Sequence, residues 1–481
     1  MAGIITWVAD VISNISAARA FGFLVILYVI SSILSWYRLR HIKGPFLASF
    51  SYLWIMCSTA TGRQSEQFRA VIDKYGPLSR IGPNDLITGD PEIIRRMGRT
   101  SGKVIYRRSG WYSSTKVDLY HDSLFTTRDT VAHDRLKAKM SFGYGGRENP
   151  TLEASIDTQL AAWVDLIRRK YISVGAELEP IDMAITEQYF TLDSLSNVAY
   201  GDAFGFLAAD GDMFDYISET EKLVPFLALS GEVPWAGKVL LSSTFLKLFG
   251  PKTTDKSGFG VILKLAYDLT QARHAPSAQD ERDMLGAFIR HGVGKRDYVA
   301  EVPFQIVAGS DTTATAIRGT LRSLMAGPHA YQNLQREIDD AVTNGTISKP
   351  IRAEEARKLP HLQAVIYEGL RINITFSGLR SSAVFGNDAG LFRPERWLEI
   401  DEAERVRWRQ HVELVFGSGR WGCSGKPVAF LELIKVSVEL FRRFDMQLVY
   451  PGRPMETVNK NMFFQKNLWV RVTERFPELP E

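Results

Sequence analysis

The secondary structure legible in this chain is mostly helical, with a few short strands, behind one apolar N-terminal helix. Three observations predict it. An apolar run from Val302 to Leu324 extends to Gly327-Pro328, which fits a long buried helix closed by a stop signal. A second apolar series, Val428, Leu431, Leu433, Ile434, Val436 and Val438, follows Pro427, a residue suited to a first helical turn. Strand signals are short by comparison: Leu78-Ser79-Arg80-Ile81 and Asp85-Leu86-Ile87-Thr88 flank Gly82-Pro83, a hairpin pattern.

In chain order, the first element is the uncharged run from Ala20 to Trp36, which as a helix nearly spans a bilayer core of roughly 30 Å. Arg38, Arg40, His41 and Lys43 follow it and only Arg19 precedes it closely, so the positive-inside rule places the C-terminal bulk in the cytoplasm. The run is long for a cleaved signal peptide and has no small-residue cleavage site. The expected organisation is an anchor segment, 1–37, and one large domain, 38–481, since no repeat, low-complexity tract or linker divides the remainder. Two cysteines in 481 residues, Cys57 and Cys423, exclude a disulfide scaffold and agree with a reducing setting. A net charge of +4 with no nucleic-acid motif argues against a nucleic-acid partner.

The chemistry is concentrated in Phe416-Gly417-Ser418-Gly419-Arg420-Trp421-Gly422-Cys423-Ser424-Gly425. Four glycines in these ten residues allow tight turns and a close approach to a flat partner. Backbone N–H groups at the start of the following helix can point at the Cys423 sulfur and favour its thiolate. A haem iron is the natural acceptor, because a thiolate ligand pushes electron density onto the iron and favours O–O cleavage. The plain alternative is a buried cysteine acting as a small hydrophobe.

Three further motifs lie in the same chain. Ala308-Gly309-Ser310-Asp311-Thr312-Thr313 sits inside the long apolar run, with Ala308 and Thr312 on one helix face. Glu368-Gly369-Leu370-Arg371 follows Leu362, Val365 and Ile366 at helical spacing, so Glu368 and Arg371 meet on one face. Phe392-Arg393-Pro394-Glu395-Arg396-Trp397 comes next.

Together these residues resemble the cytochrome P450 superfamily, from about Gly44 onward. The resemblance implies that family's fold: mainly helical, with a long central helix and a small sheet, behind a transmembrane helix. It implies haem b, with Cys423 as axial ligand and Phe416, Gly417 and Arg420 in the loop against it. It implies that Ala308 leaves room above the iron while Thr312 and Asp311 deliver protons; a Thr that merely closes a helical turn is the alternative. It places His133 and Lys137 at the haem propionates, and Glu368, Arg371 and Arg396 in a buried structural network. Phe304, Val307, Phe463 and Phe464 become candidate pocket residues. The detailed likeness is to filamentous-fungal members of secondary metabolism, including the pisatin demethylase-like group, so the expected substrate is a small, largely apolar metabolite oxidised by O2.

Implied partners are NADPH-cytochrome P450 reductase and cytochrome b5, at the endoplasmic reticulum membrane. Arg135, Lys137 and Lys139, with Arg405, Arg407, Arg409, Arg420 and Lys426, are expected to form a basic face that steers an acidic reductase.

Departures from the family pattern mark this chain. Arg420 stands three residues before Cys423, and Trp421 occupies the usual arginine place. Lys43 precedes Gly44-Pro45 where the family's hinge often has another proline. Arg371 and Arg396 are separated by a span, 372–391, too short for the strands, turns and short helix the family inserts, which need roughly 25–35 residues more. Asn373-Ile374-Thr375 stands where a Pro-Pro pair is common. The expected consequences are an unpaired sheet edge and a loosened haem pocket. Two alternatives to monooxygenation therefore stand: a haem-binding but impaired or inactive variant, and a haem-thiolate isomerase or dehydratase, which Asp311-Thr312 argues against.

Overall fold

The computed structural model describes residues 17–102, 104–118, 120–256, 259–276, 278–374 and 382–476. Residues 1–16 of the expected anchor segment and 375–381 of the short span, Thr375 included, lie outside the described residues.

The helices that frame the site are α1 (Ala17–Leu39), α2 (Pro91–Met97), α3 (Thr130–Tyr144), α4 (Leu152–Lys170), α5 (Met183–Tyr200), α6 (Tyr216–Glu232), α7 (Lys295–Ala326), α8 (Pro328–Thr343), α9 (Pro360–Gly369), α10 (Glu402–Val412) and α11 (Lys426–Arg443). Helix α1 is long and apolar enough to cross a membrane, with mean hydropathy 1.9 over Arg19–Leu39 and none of that stretch buried. Near its C-terminal end Ser32 Oγ donates to Phe50 O at 2.9 Å and Arg38 to Asn84 Oδ1, joining the helix to the following domain.

Helix α7 is the axis of the fold and packs against α5, α9 and α11. It can be buried despite its many hydroxyls because they bond within the helix: Ser310 Oγ donates to Ile306 O at 2.7 Å and Thr320 Oγ1 to Ala316 O at 2.8 Å. It ends at Gly327, and Pro328 opens α8, where a missing N–H removes no helical bond. Around this axis one core runs from Met140 through Trp163, Phe190, Leu324 and Trp397 to Val472.

Among the described residues, short strands form three small antiparallel sheets. β1 (Leu78–Arg80) pairs with β2 (Leu86–Thr88); β3 (Ile181–Asp182) and β4 (Phe444–Leu448) flank β7 (Trp469–Glu474); β5 (Glu456–Lys460) pairs with β6 (Met462–Lys466). The hairpin expected at 78–88 is β1–β2. The linker after α1 lies against β1, where Arg80 N–H donates to Lys43 O at 2.8 Å. A Cβ on Gly44 would come within 2.2 Å of Arg80 O, so this approach requires glycine. No third strand joins the β1–β2 pair among the described residues, and Leu78 and Leu86 are exposed.

Candidate active site

The cysteine loop is held against α2 by backbone contacts. Arg420 N–H donates to Gly98 O at 2.7 Å, and Ser418 Oγ donates to Ile94 O at 3.2 Å. The two backbones are so close that a Cβ on Gly98 would meet Ser418 O at 2.2 Å, and one on Gly419, at φ 53°, would meet Gly98 O at 2.1 Å. Gly98 is a site residue that pattern reading missed, since its need is set by a loop more than 300 positions away. Within the loop, Cys423 N–H donates to Phe416 O at 2.6 Å, and the Phe416 ring packs on Phe430 with centroids 5.4 Å apart.

Cys423 is solvent-accessible, yet burial pushes its thiol above the ordinary range. The N–H groups of Gly425 and Lys426, and then the Lys137 and Lys426 charges, pull the other way. The N–H groups of the helix start act in the direction expected from the sequence, toward the thiolate; desolvation is the larger effect, and a bound metal would displace the proton. The thiol is thus accessible to solvent and also surrounded by protein groups.

Helix α7 shows the same pattern. Thr312 is exposed between buried Asp311 and Thr313, and Phe304, Ala308 and Gly309 are half-buried. Spacings of four and four put Phe304, Ala308 and Thr312 on one stripe. Thr312 Oγ1 donates to Ala308 O at 2.7 Å, so the hydroxyl proton lies in the helix while its lone pairs remain open.

Asp311, adjacent in sequence, turns to another face. Its Oδ1 accepts from Gln188 Nε2, its Oδ2 is buried with no partner, and burial pushes its carboxyl up to about 7 against the opposing Arg318 charge. Phe463 and Phe464 line a small cavity with Asp311, Gln188, Glu221 and Arg318, and Phe304 is not part of it. Thr312 and Asp311 therefore do not share one face, and the expected pocket aromatics divide between the two.

Cations converge beside the loop. Lys137 Nζ donates to Arg420 O at 2.8 Å and Gly422 O at 2.7 Å, which holds the loop. His133 is buried, 4.6 Å from the Trp421 ring, and burial pushes its imidazole down to about 4. Arg420 Nε lies 3.0 Å from both Asp134 oxygens, and its Nη1 is buried without a partner. Arg108, a residue that sequence reading missed, lies 4.5 Å over the Trp421 ring with its Nε likewise buried and unpartnered. Unpaired buried guanidinium donors are costly unless an anion meets them. A flat group carrying carboxylates, with an iron for Cys423, fits this donor set.

Glu368, Arg371 and Arg396 are brought together at almost zero exposure. Arg371 Nε and Nη2 reach Glu368 at 2.8 and 2.7 Å, and Arg396 Nε reaches it at 3.2 Å. Trp397 Nε1 and the Arg393 N–H add bonds of 3.0 and 2.8 Å.

The expected basic face needs correction. Arg420 is buried; Arg405 bonds to Trp397 O and Ile400 O; Arg409 lies over Tyr367; Lys426 pairs with Glu413; Lys139 bonds to Gly292 O. Of the named residues only Arg135 and Arg407 are exposed, and Arg407 pairs with Glu404. Arg96, Arg99, Arg107 and Arg128 are exposed, form no ion pair among the described residues, and neighbour the segments that touch the loop or Arg108.

This mainly helical fold, with a glycine-rich cysteine loop, cations beside that loop and a long central helix, defines a haem-thiolate protein. Residues 44–381 match the family Cytochrome P450. The chain is 44% identical to the cytochrome P450 monooxygenase ABA1 of Pyricularia oryzae, with 92% of this chain and 94% of the relative covered. It is 40% identical to aba1 of Botryotinia fuckeliana, covering 91% and 92%, and 36% identical to abl1 of Leptosphaeria maculans, covering 87% and 80%. The chain belongs to the cytochrome P450 family, which binds haem through a cysteine thiolate. The alignment with ABA1 runs over 484 positions but takes up 92% of 481 residues, about 443, so roughly 40 positions of that relative have no residue here.

Proposed function

We propose that this chain is a membrane-anchored monooxygenase that inserts one oxygen atom from O2 into a small, largely apolar metabolite of fungal secondary metabolism: RH + O2 + 2 electrons + 2 protons give ROH + H2O. The observation that carries the reading is the accessible Cys423 thiol of the glycine-rich loop, with the unpartnered Arg108 and Arg420 donors near that loop. Haem bound through Cys423 supplies the activation of O2. Arg108, Arg420 and His133 would hold its propionates, with Lys137 fixing the loop through two carbonyls. Ala308 and Gly309 leave room for O2 and substrate, and Phe304 presents an apolar wall. Thr312 offers its lone pairs to a water or to O2, and rotation of its hydroxyl from Ala308 O presents a proton. Asp311 holds a proton close to neutral pH and stands one residue away, on the side reached by Gln188 and Arg318. Its part in proton supply therefore runs through water rather than by contact with Thr312.

All three relatives named above are called monooxygenases, and neither the isomerase nor the impaired reading gains support from them. For partners, the reading takes an acidic reductase at Arg96, Arg99, Arg107, Arg128 and Arg135, and an endoplasmic reticulum membrane at α1. The test is incubation of the full-length protein in membranes with reductase, NADPH and labelled O2 against fungal metabolite extracts. The reading expects one labelled oxygen atom in a product; haem-loaded protein that transfers no oxygen to any compound would overturn it.

A further inference from the structure

Glu301 is a fully buried carboxylate on α7 that the oxidation chemistry leaves unassigned. It lies on the stripe that carries Phe304, Ala308 and Thr312, one helical turn before Phe304. Its Oε2 accepts from the Leu124 N–H at 2.7 Å, and its Oε1 accepts from the Tyr144 hydroxyl of α3. Leu124 belongs to a turn that otherwise closes on itself: Ser123 N–H donates to Thr126 Oγ1 at 2.9 Å, and Thr127 Oγ1 to Ser123 O at 2.7 Å. On its other side the same turn offers carbonyls to Arg108, whose Nη1 donates to Leu124 O at 2.6 Å and also to Phe125 O. The Phe125 ring is stacked on Phe304 at 4.8 Å, so α7 grips the turn at two successive points.

The connection is continuous: α7 holds the turn, the turn holds the Arg108 guanidinium, and Arg108 lies across Trp421 of the cysteine loop with a buried donor to spare. We propose that Glu301 is a positioning residue for haem: it fixes the 123–127 turn so that Arg108 presents its free donor to a propionate. This rests on the haem-thiolate reading above. Glu301 does not touch the prosthetic group; it acts through Arg108. Without Glu301 the Leu124 N–H is left buried and unpaired, the turn shifts to recover a partner, and Arg108 loses the carbonyls that aim it.

The experiment is a double-mutant cycle on haem retention, reading the rate at which the full-length ferric protein in detergent gives up haem to excess apomyoglobin. Arg108→Ala and Glu301→Ala should each speed haem loss by about tenfold or more, the scale of one charged hydrogen bond. The double variant should lose haem no faster than Arg108→Ala alone, because the two residues act in series. Glu301→Gln, which keeps an acceptor for Leu124 N–H, should recover most of the retention and serves if the alanine variant folds poorly. Rates that multiply in the double variant, or a Glu301→Ala protein that holds haem like the wild type, would overturn the proposal. If the wild type shows a thiolate-type spectrum and the rates multiply, only the Glu301 assignment falls; if the wild type shows none, the functional reading falls with it.

Discussion

Glu368→Gln keeps the size of a fully buried side chain and removes its charge. Glu368 Oε1 receives Arg371 Nη2, Arg396 Nε and the Arg393 N–H, and Oε2 receives Arg371 Nε and Trp397 Nε1. An amide keeps one oxygen, so whichever way the substituted side chain turns, its NH2 faces at least two buried donors. Stranding two donors at about 1–3 kcal/mol each gives about 2–6 kcal/mol, in line with the roughly 3–5 kcal/mol expected for breaking a buried ion network. The control is Glu456→Gln, which breaks an exposed pair with Arg453 and should change stability by about 1 kcal/mol or less. Because a chain of this size unfolds irreversibly, the assay is the half-life of the thiolate-type carbon monoxide spectrum in urea, followed beside tryptophan fluorescence. Glu368→Gln should shorten it at least tenfold while Glu456→Gln leaves it unchanged. A half-life equal to wild type in Glu368→Gln would show that the network does not hold the fold.

Thr312→Ala should still bind haem and substrate but divert electrons to peroxide, lowering product per NADPH several-fold; an unchanged ratio would leave Thr312 as a helix-closing hydroxyl bonded to Ala308 O. Asp311 is an acid whose folded pKa, about 7, is raised above its unfolded 3.8, so the folded state binds the extra proton between those values. Its stabilising contribution is full below about 3.8 and is lost as pH rises through about 7; Asp311→Asn should flatten both that decline, measured as stability from about pH 4 to about pH 7, and a fall in product per NADPH, measured from about pH 6 to about pH 8. Replacing 372–391 by the corresponding longer segment of a relative should cover the open β1–β2 pair and slow haem loss; a chimera that loses haem at the original rate would show that the short span is tolerated.

The parts of this protein that the sequence makes legible are those built from neighbours in the chain. The cysteine loop, the long helix through Thr312 and the Glu368-Arg371 pair are local patterns, and the structure places each on the predicted element. What stays hidden depends on distant segments. Asp311 and Thr312 are adjacent in sequence, but about 100° of helix rotation separates their side chains, so only Thr312 is exposed. Arg405 and Arg409 look like surface charge until their carbonyl and ring partners are known. Arg108 gives no local signal, because its role comes from carbonyls 16 and 17 residues on and from Trp421 of the cysteine loop. Gly98 likewise becomes necessary only when the loop at Gly419 comes to rest against it.

The most direct test of the central claim is the carbon monoxide difference spectrum of the reduced full-length protein in membranes, recorded beside Cys423→Ala and Cys57→Ala. Haem held by the Cys423 thiolate predicts a thiolate-type Soret band in the wild type and in Cys57→Ala, and its loss in Cys423→Ala. A thiolate-type band that survives Cys423→Ala, or a haem-loaded wild type without one, would contradict it.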